Sequence, residues 1–219
     1  MSKLSILVCL LISCAAHAQP PAAKKGLAVR FLAERGGEEA GKVVLAAKDA
    51  KSDPFDLPMN HLSEPQTPPE RVFSVRSSDH NASLATVTLP EKGDSFIVLL
   101  VPSAKTGYDP VIIPADDAKF RPGDVYFFNH ADKTVLGFVG TSKFILAPNK
   151  GEMLRPAGPS EDGSYYTVGL GVREADGDRP LSSARWPVQK HIRMYVFFFN
   201  NPKTGRLDFR AVDEYVEPG

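Results

Sequence analysis

Cysteine is nearly absent from this 219-residue chain, and its two copies, Cys9 and Cys14, both fall within the first fourteen residues. If that segment is removed, no thiol remains, and disulfides, thiolate nucleophiles, zinc–cysteine sites and iron–sulfur centres go with it. About 200 residues can bury enough apolar surface to fold without such staples. An excess of either charge is also lacking, since 26 Lys and Arg face 26 Asp and Glu. The signs are interleaved, as in Glu34-Arg35 and Lys48-Asp49, so the basic clusters that nucleic acid or anionic lipid require are not present. Helical periodicity is missing too: no window of helical length has apolar residues at three and four spacing without a proline or glycine cluster. No apolar run approaches the roughly 20 residues of a membrane-spanning helix.

What is present begins at the N-terminus. Lys3, the apolar run from Leu4 to Ile12 and the small-residue motif Ala16-His17-Ala18 have the order of an export signal, with residues 1–18 removed by cleavage before Gln19. The mature chain then carries one net negative charge, because Lys3 leaves with the signal. Leu11-Ile12-Ser13-Cys14 resembles a lipobox, and cleavage there would place a lipid on Cys14 and tether the product to a membrane. The cut after Ala18 is preferred, since a signal ending at Cys14 has hardly any charged leader before its apolar core. The expected location is the periplasm or the cell exterior, with an outer-membrane or surface lipoprotein as the alternative.

Residues 19–26 lack periodicity and read as a flexible leader. From Leu27 onward, short runs rich in Val, Ile, Phe and Tyr alternate with Gly, Pro, Asn and Asp, and predict strands at 27–32, 42–47, 71–76, 82–89, 95–101, 111–113, 124–129, 135–139, 142–147, 151–155, 165–172, 192–200 and 207–212. The uninterrupted run Phe96 to Val101 predicts a strand buried on both faces. Pro202 and Gly205 predict a hairpin between the last two strands. Residues 48–70, with five prolines, and 174–190 read as long irregular connections. The fold class that follows is all-β, an antiparallel sandwich of immunoglobulin-like or cupredoxin-like type with little or no helix, as one domain over 27–219 or two small sandwiches divided near 104–123.

Phe120 to Asn129, a Pro/Gly turn leading into a strand that ends in Asn, resembles the corresponding segment of cupredoxins. That resemblance implies a copper held by cysteine, two histidines and a methionine, and a mature chain without cysteine cannot supply the first ligand. His61, His80, His130 and His191 are not in HxH or HExxH spacing. Among them, His61 and the pair His130 and Asp132 are the weak metal candidates. No GxSxG is present, and Glu174, Asp176, Gly177 and Asp178 depart from the order of a calcium loop, so a turn is the expected meaning. No cofactor is called for.

The tryptophan, Trp186, stands in Arg185-Trp186-Pro187, a short way after Arg179. Tryptophan beside arginine is common in interface hot spots and sugar-stacking platforms. Arg179, Arg185, Trp186 and Tyr195 are therefore the candidate ligand-binding residues, with Tyr108 and Tyr165 as possible neighbours, against the plainer reading that Trp186 caps the core. The expected function is a non-catalytic binding or structural module of the cell envelope whose partner is a protein or a glycan. The alternatives are a metal- or carboxylate-dependent hydrolase with loop-borne residues and a lipid-anchored scaffold tethered through Cys14.

Overall fold

A computed structural model describes residues 26–35, 41–103, 107–115, 120–201 and 204–216. The export segment with Cys9 and Cys14, most of the leader and Pro202 lie outside the described residues. Every regular element among the described residues is a strand. The first eight are β1 (Ala28–Ala33), β2 (Lys42–Ala47), β3 (Ala50–Lys51), β4 (Phe55–Asp56), β5 (Val72–Ser77), β6 (Ser83–Thr88), β7 (Ser95–Pro102) and β8 (Tyr108–Pro114). The second eight are β9 (Val125–Asn129), β10 (Val135–Val139), β11 (Ser142–Leu146), β12 (Lys150–Leu154), β13 (Tyr165–Glu174), β14 (Gly177–Pro187), β15 (Ile192–Asn200) and β16 (Leu207–Tyr215).

These strands form four sheets, ordered β1-β7-β8, β3-β2-β5-β6 with β4 also on β2, β12-β9-β15-β16, and β11-β10-β13-β14. Pairing is antiparallel except for β1 with β7 and β9 with β15, which run parallel. Among the described residues, the strands up to Pro114 pair only with one another, and so do those from Val125 onward.

Period-two alternation explains how the sheets stack. In β7, Phe96, Val98 and Leu100 enter one cluster with Phe31 of β1 and Leu45, Phe73 and Val87 of the β2-β5-β6 sheet. Ile97, Leu99 and Val101 point the other way and meet Phe128, Tyr195, Phe197 and Val212 of the β9-β15-β16 sheet. The opposite face of that sheet, with Phe127, Val196 and Phe198, packs on Val135, Phe144, Val168 and Leu170 of the β10-β11-β13 sheet. The order of layers is thus sheet upon sheet four deep, and β7 and β15 are buried on both faces.

Two stretches that read as irregular connections contain strands. Residues 174–190 hold β14, the longest strand of the fold. Its turn signals misled because they belong to an edge: β14 pairs only with β13, and an edge strand tolerates Pro180 and Pro187 since it has ladder hydrogen bonds on one side only. The acidic cluster is the turn of this hairpin, with Glu174 paired to Gly177 across two residues. Residues 48–70 contain the short β3 and β4, and Gln66 bridges to Val29. The hairpin at 200–207 forms as expected, with Asn200 opposite Leu207 and Gly205 at φ 65°.

Candidate functional site

The predicted site residues do not converge. Tyr195 is 0% exposed between the second and third layers, so it is unavailable to any surface ligand. Its hydroxyl donates to Glu214 Oε2 at 2.6 Å, and burial, then the Glu214 charge, pushes its pKa far above the ordinary tyrosine value. Arg193, facing Glu214 across the β15–β16 ladder, donates to both oxygens of that carboxylate at 2.8 and 2.9 Å and to Ala115 O at 2.9 Å. Arg30 of β1 adds a contact to Glu214 Oε1 at 2.8 Å. Glu214 therefore accepts four hydrogen bonds, three of them from guanidinium groups, and ties β1 to β15 and β16. This is a buried brace between layers.

The histidines scatter. His130 Nδ1 lies 2.6 Å from Glu34 Oε2, a partner 96 positions away, rather than meeting Asp132, which is exposed. His61 Nδ1 lies 2.7 Å from Oδ1 of its neighbour Asn60. His80 and His191 are exposed at separate turns. Among the described residues, no group of three or more His, Cys, Asp or Glu is placed to hold a metal ion. His61 does line a cleft of about 420 Å³ formed by the proline-rich stretch, with Lys42, Asp56, Glu64 and Gln66. Its lining mixes one lysine with two carboxylates.

Trp186 belongs to β14 and points inward, where it stacks on Phe127 with centroids 6.5 Å apart. It packs against the outer core with Tyr166 and Met194. Tyr108 is likewise buried, its hydroxyl bonded to Arg35 O at 3.1 Å. The plainer reading of Trp186 thus describes its environment.

Arg179 stands opposite the buried Val172 in the ladder and pairs with Glu174 near the β13–β14 turn, whereas Arg185 leads to the outer face of the fourth layer. Register places three rows across this face. One contains Ile145, Leu136, Gly171 and Pro180, the next Lys143, Phe138, Gly169 and Ser183, and the third Thr167 and Arg185. Ile145 is 59% exposed. An ideal Cβ on Gly169 would lie 2.4 Å from Phe138 Cε1, so the absence of a side chain there lets the phenyl ring drape over β13. The result is an open apolar groove of about 320 Å³ lined by Leu136, Phe138, Gly169, Gly171, Pro180 and Ser183 with Asp178 and Arg179 at one end.

Charge is unevenly settled around this groove. At the Asp178 end, Arg173 holds Asp178 at 2.9 and 3.2 Å, and Glu174 takes Lys133 and Arg179 at 3.0 and 3.3 Å. These contacts keep the Asp178 and Glu174 carboxyls below their usual values. On the other side, Arg185 stacks on Tyr165 at 4.7 Å and Lys143 is exposed. Neither has a carboxylate within ion-pair distance among the described residues. The sequence singled out the two arginines but not Leu136, Phe138 and Ile145, which look like ordinary strand residues until the register reveals which face they occupy.

No protein-family model matches the chain, and no curated protein matches it. The fold is all-β, built of antiparallel and mixed sheets packed in sandwich fashion. No helix among the described residues is long and apolar enough to cross a membrane.

Proposed function

We propose that this protein is an exported, non-catalytic binding module of the cell envelope, and that it engages a partner protein through the outer face of the β11-β10-β13-β14 sheet. The observation that carries this reading is the groove over Gly169 and Gly171. Outward positions of a solvent-facing strand ordinarily hold polar or β-branched residues, and glycine in a strand interior costs about 0.5–1 kcal/mol relative to alanine. Here consecutive outward positions of β13 are bare, and the adjoining strands present Leu136, Phe138, Ile145 and Pro180. Glycine in a strand is a common mark of close approach by another chain, and exposed apolar surface with a polar rim is the usual character of an interaction site.

The mature chain's lack of cysteine makes the test direct. A photo-crosslinker attached to Ser183→Cys is expected to capture a specific envelope protein, whereas the same label on Asp49→Cys, at the exposed β2–β3 turn, is not. Equal capture from both positions, or none from either, would overturn the assignment of this face. Mass spectrometry of the exported product tests the compartment: free or cyclised Gln19 is expected, and acylated Cys14 would instead make the protein a lipid-anchored one.

A further inference from the structure

Resting on that binding reading, we infer that the occupant of the groove is a short extended segment of a partner protein, apolar at its centre and acidic on both flanks. The first argument is size. Four strands spaced about 4.8 Å, over the three rows from Gly171 to Thr167, give a face of roughly 300 Å². A stable pair of globular partners needs about 800 Å² from each side, so a second copy of this chain docked on this face alone would not hold. A narrow chain lying in the groove needs no more than the face provides.

The second argument is charge. The acidic groups beside the groove are already held by Arg173, Lys133 and Arg179. Lys143 on β11 and Arg185 on β14, which have no carboxylate within ion-pair distance among the described residues, stand at opposite ends of a diagonal that crosses Phe138 and Gly169. That diagonal spans three strand spacings and one row, about 16 Å. An extended peptide covers it in about five residues. An acid near each end would meet Lys143 and Arg185, while the side chains between them lie against Phe138, Leu136 and the bare backbone of β13. The half-screened surface site makes the ionic part salt-sensitive, whereas the apolar part is not.

The probe for the test is a fluorescein-labelled peptide of three leucines flanked by two aspartates on each side, titrated into the mature protein. Saturable binding that moves the Phe138 and Gly169 backbone resonances is expected. Affinity should fall at least tenfold in the double variant Lys143→Glu/Arg185→Glu, at least fivefold in Phe138→Ala, and several-fold between 0.05 and 0.5 M salt. Unchanged thermal melting of these surface variants checks that they fold. A peptide with lysines in place of the aspartates should not bind. The inference is overturned if both peptides bind alike, if the charge-reversed variant binds as well as wild type, or if neutral envelope oligosaccharides move the same resonances and the peptide does not. It is also overturned if concentrated protein dimerises through this face. Failure of the peptide with continued capture from Ser183→Cys rejects the acidic segment alone; failure of both rejects the face as a binding site.

Discussion

Replacing Glu214 by glutamine is expected to destabilise the fold strongly. The side chain of Glu214 is 5% exposed and that of Arg193 is 9% exposed, so this ion pair is shielded from water. Glutamine keeps the shape but removes the charge that compensates Arg193 and Arg30, and turns an amide nitrogen toward donors that need an acceptor. Breaking one side of a buried pair in this way costs about 3–5 kcal/mol, because the partner charge stays buried. For a protein of this size each kcal/mol lowers Tm by about 2–4 °C, so a fall of roughly 6–20 °C is expected. Tyr195→Phe, which removes one charge-assisted hydrogen bond, should cost about 1.5–3 kcal/mol. Arg30→Met should cost only about 1 kcal/mol, since Arg30 is 32% exposed and solvent screens its contribution. Urea unfolding followed by circular dichroism and by the fluorescence of the single tryptophan reads all three. Stability of Glu214→Gln within about 1 kcal/mol of wild type, or a larger loss in Arg30→Met, would refute the argument that the carboxylate braces the layers.

Alkaline pH should act through Tyr195. Its folded pKa is raised by burial and by Glu214, so its contribution is fully present below the unfolded value near pH 10 and is lost as pH rises above it, by about 1.4 kcal/mol per unit. The stability difference between wild type and Tyr195→Phe should therefore shrink above pH 10, and a constant difference in urea melts from pH 8 to 11 would count against it. Gly140→Ala should cost at least about 3 kcal/mol, because φ is +61° and the new Cβ would sit 1.8 Å from Ala157 O; a soluble variant with wild-type melting would contradict this. Asp124→Ala should cost about 1–3 kcal/mol in urea unfolding by removing the carboxylate that accepts from the Arg121 N–H at 2.8 Å and from the Arg155 guanidinium at 2.6 Å; a wild-type midpoint would contradict this. Gly169→Ala should cost only about 1 kcal/mol, since the far end of the Phe138 ring can swing away. The altered ring should be visible as shifted Phe138 resonances with the fold intact.

Local pattern was enough to locate most strands, because alternation and turn residues act over a few positions. The continuous apolar run of β7 even announced burial on both faces. It was not enough for β14, whose prolines and acids resemble a loop, since edge position is a property of the sheet and not of the segment. Nor could it place the polar end of β15: Arg193 and Tyr195 share one face of the strand with Phe197, and all three are buried because a further sheet covers that face and Glu214, nineteen to twenty-one positions away, accepts from both polar groups. Arg179 and Arg185 were singled out as binding candidates beside Trp186, but strand parity sends Arg185 outward and Trp186 inward.

By itself, then, the sequence determines an all-β chain with no long amphipathic helix, no thiol beyond its first fourteen residues and no charge excess, because these follow from residue type and short-range periodicity. The four-layer stack, the ion pairs bracing its middle and the groove over Gly169 are decided only by tertiary structure. They depend on which strands become neighbours and on which face meets another sheet, and those contacts join residues up to 184 positions apart.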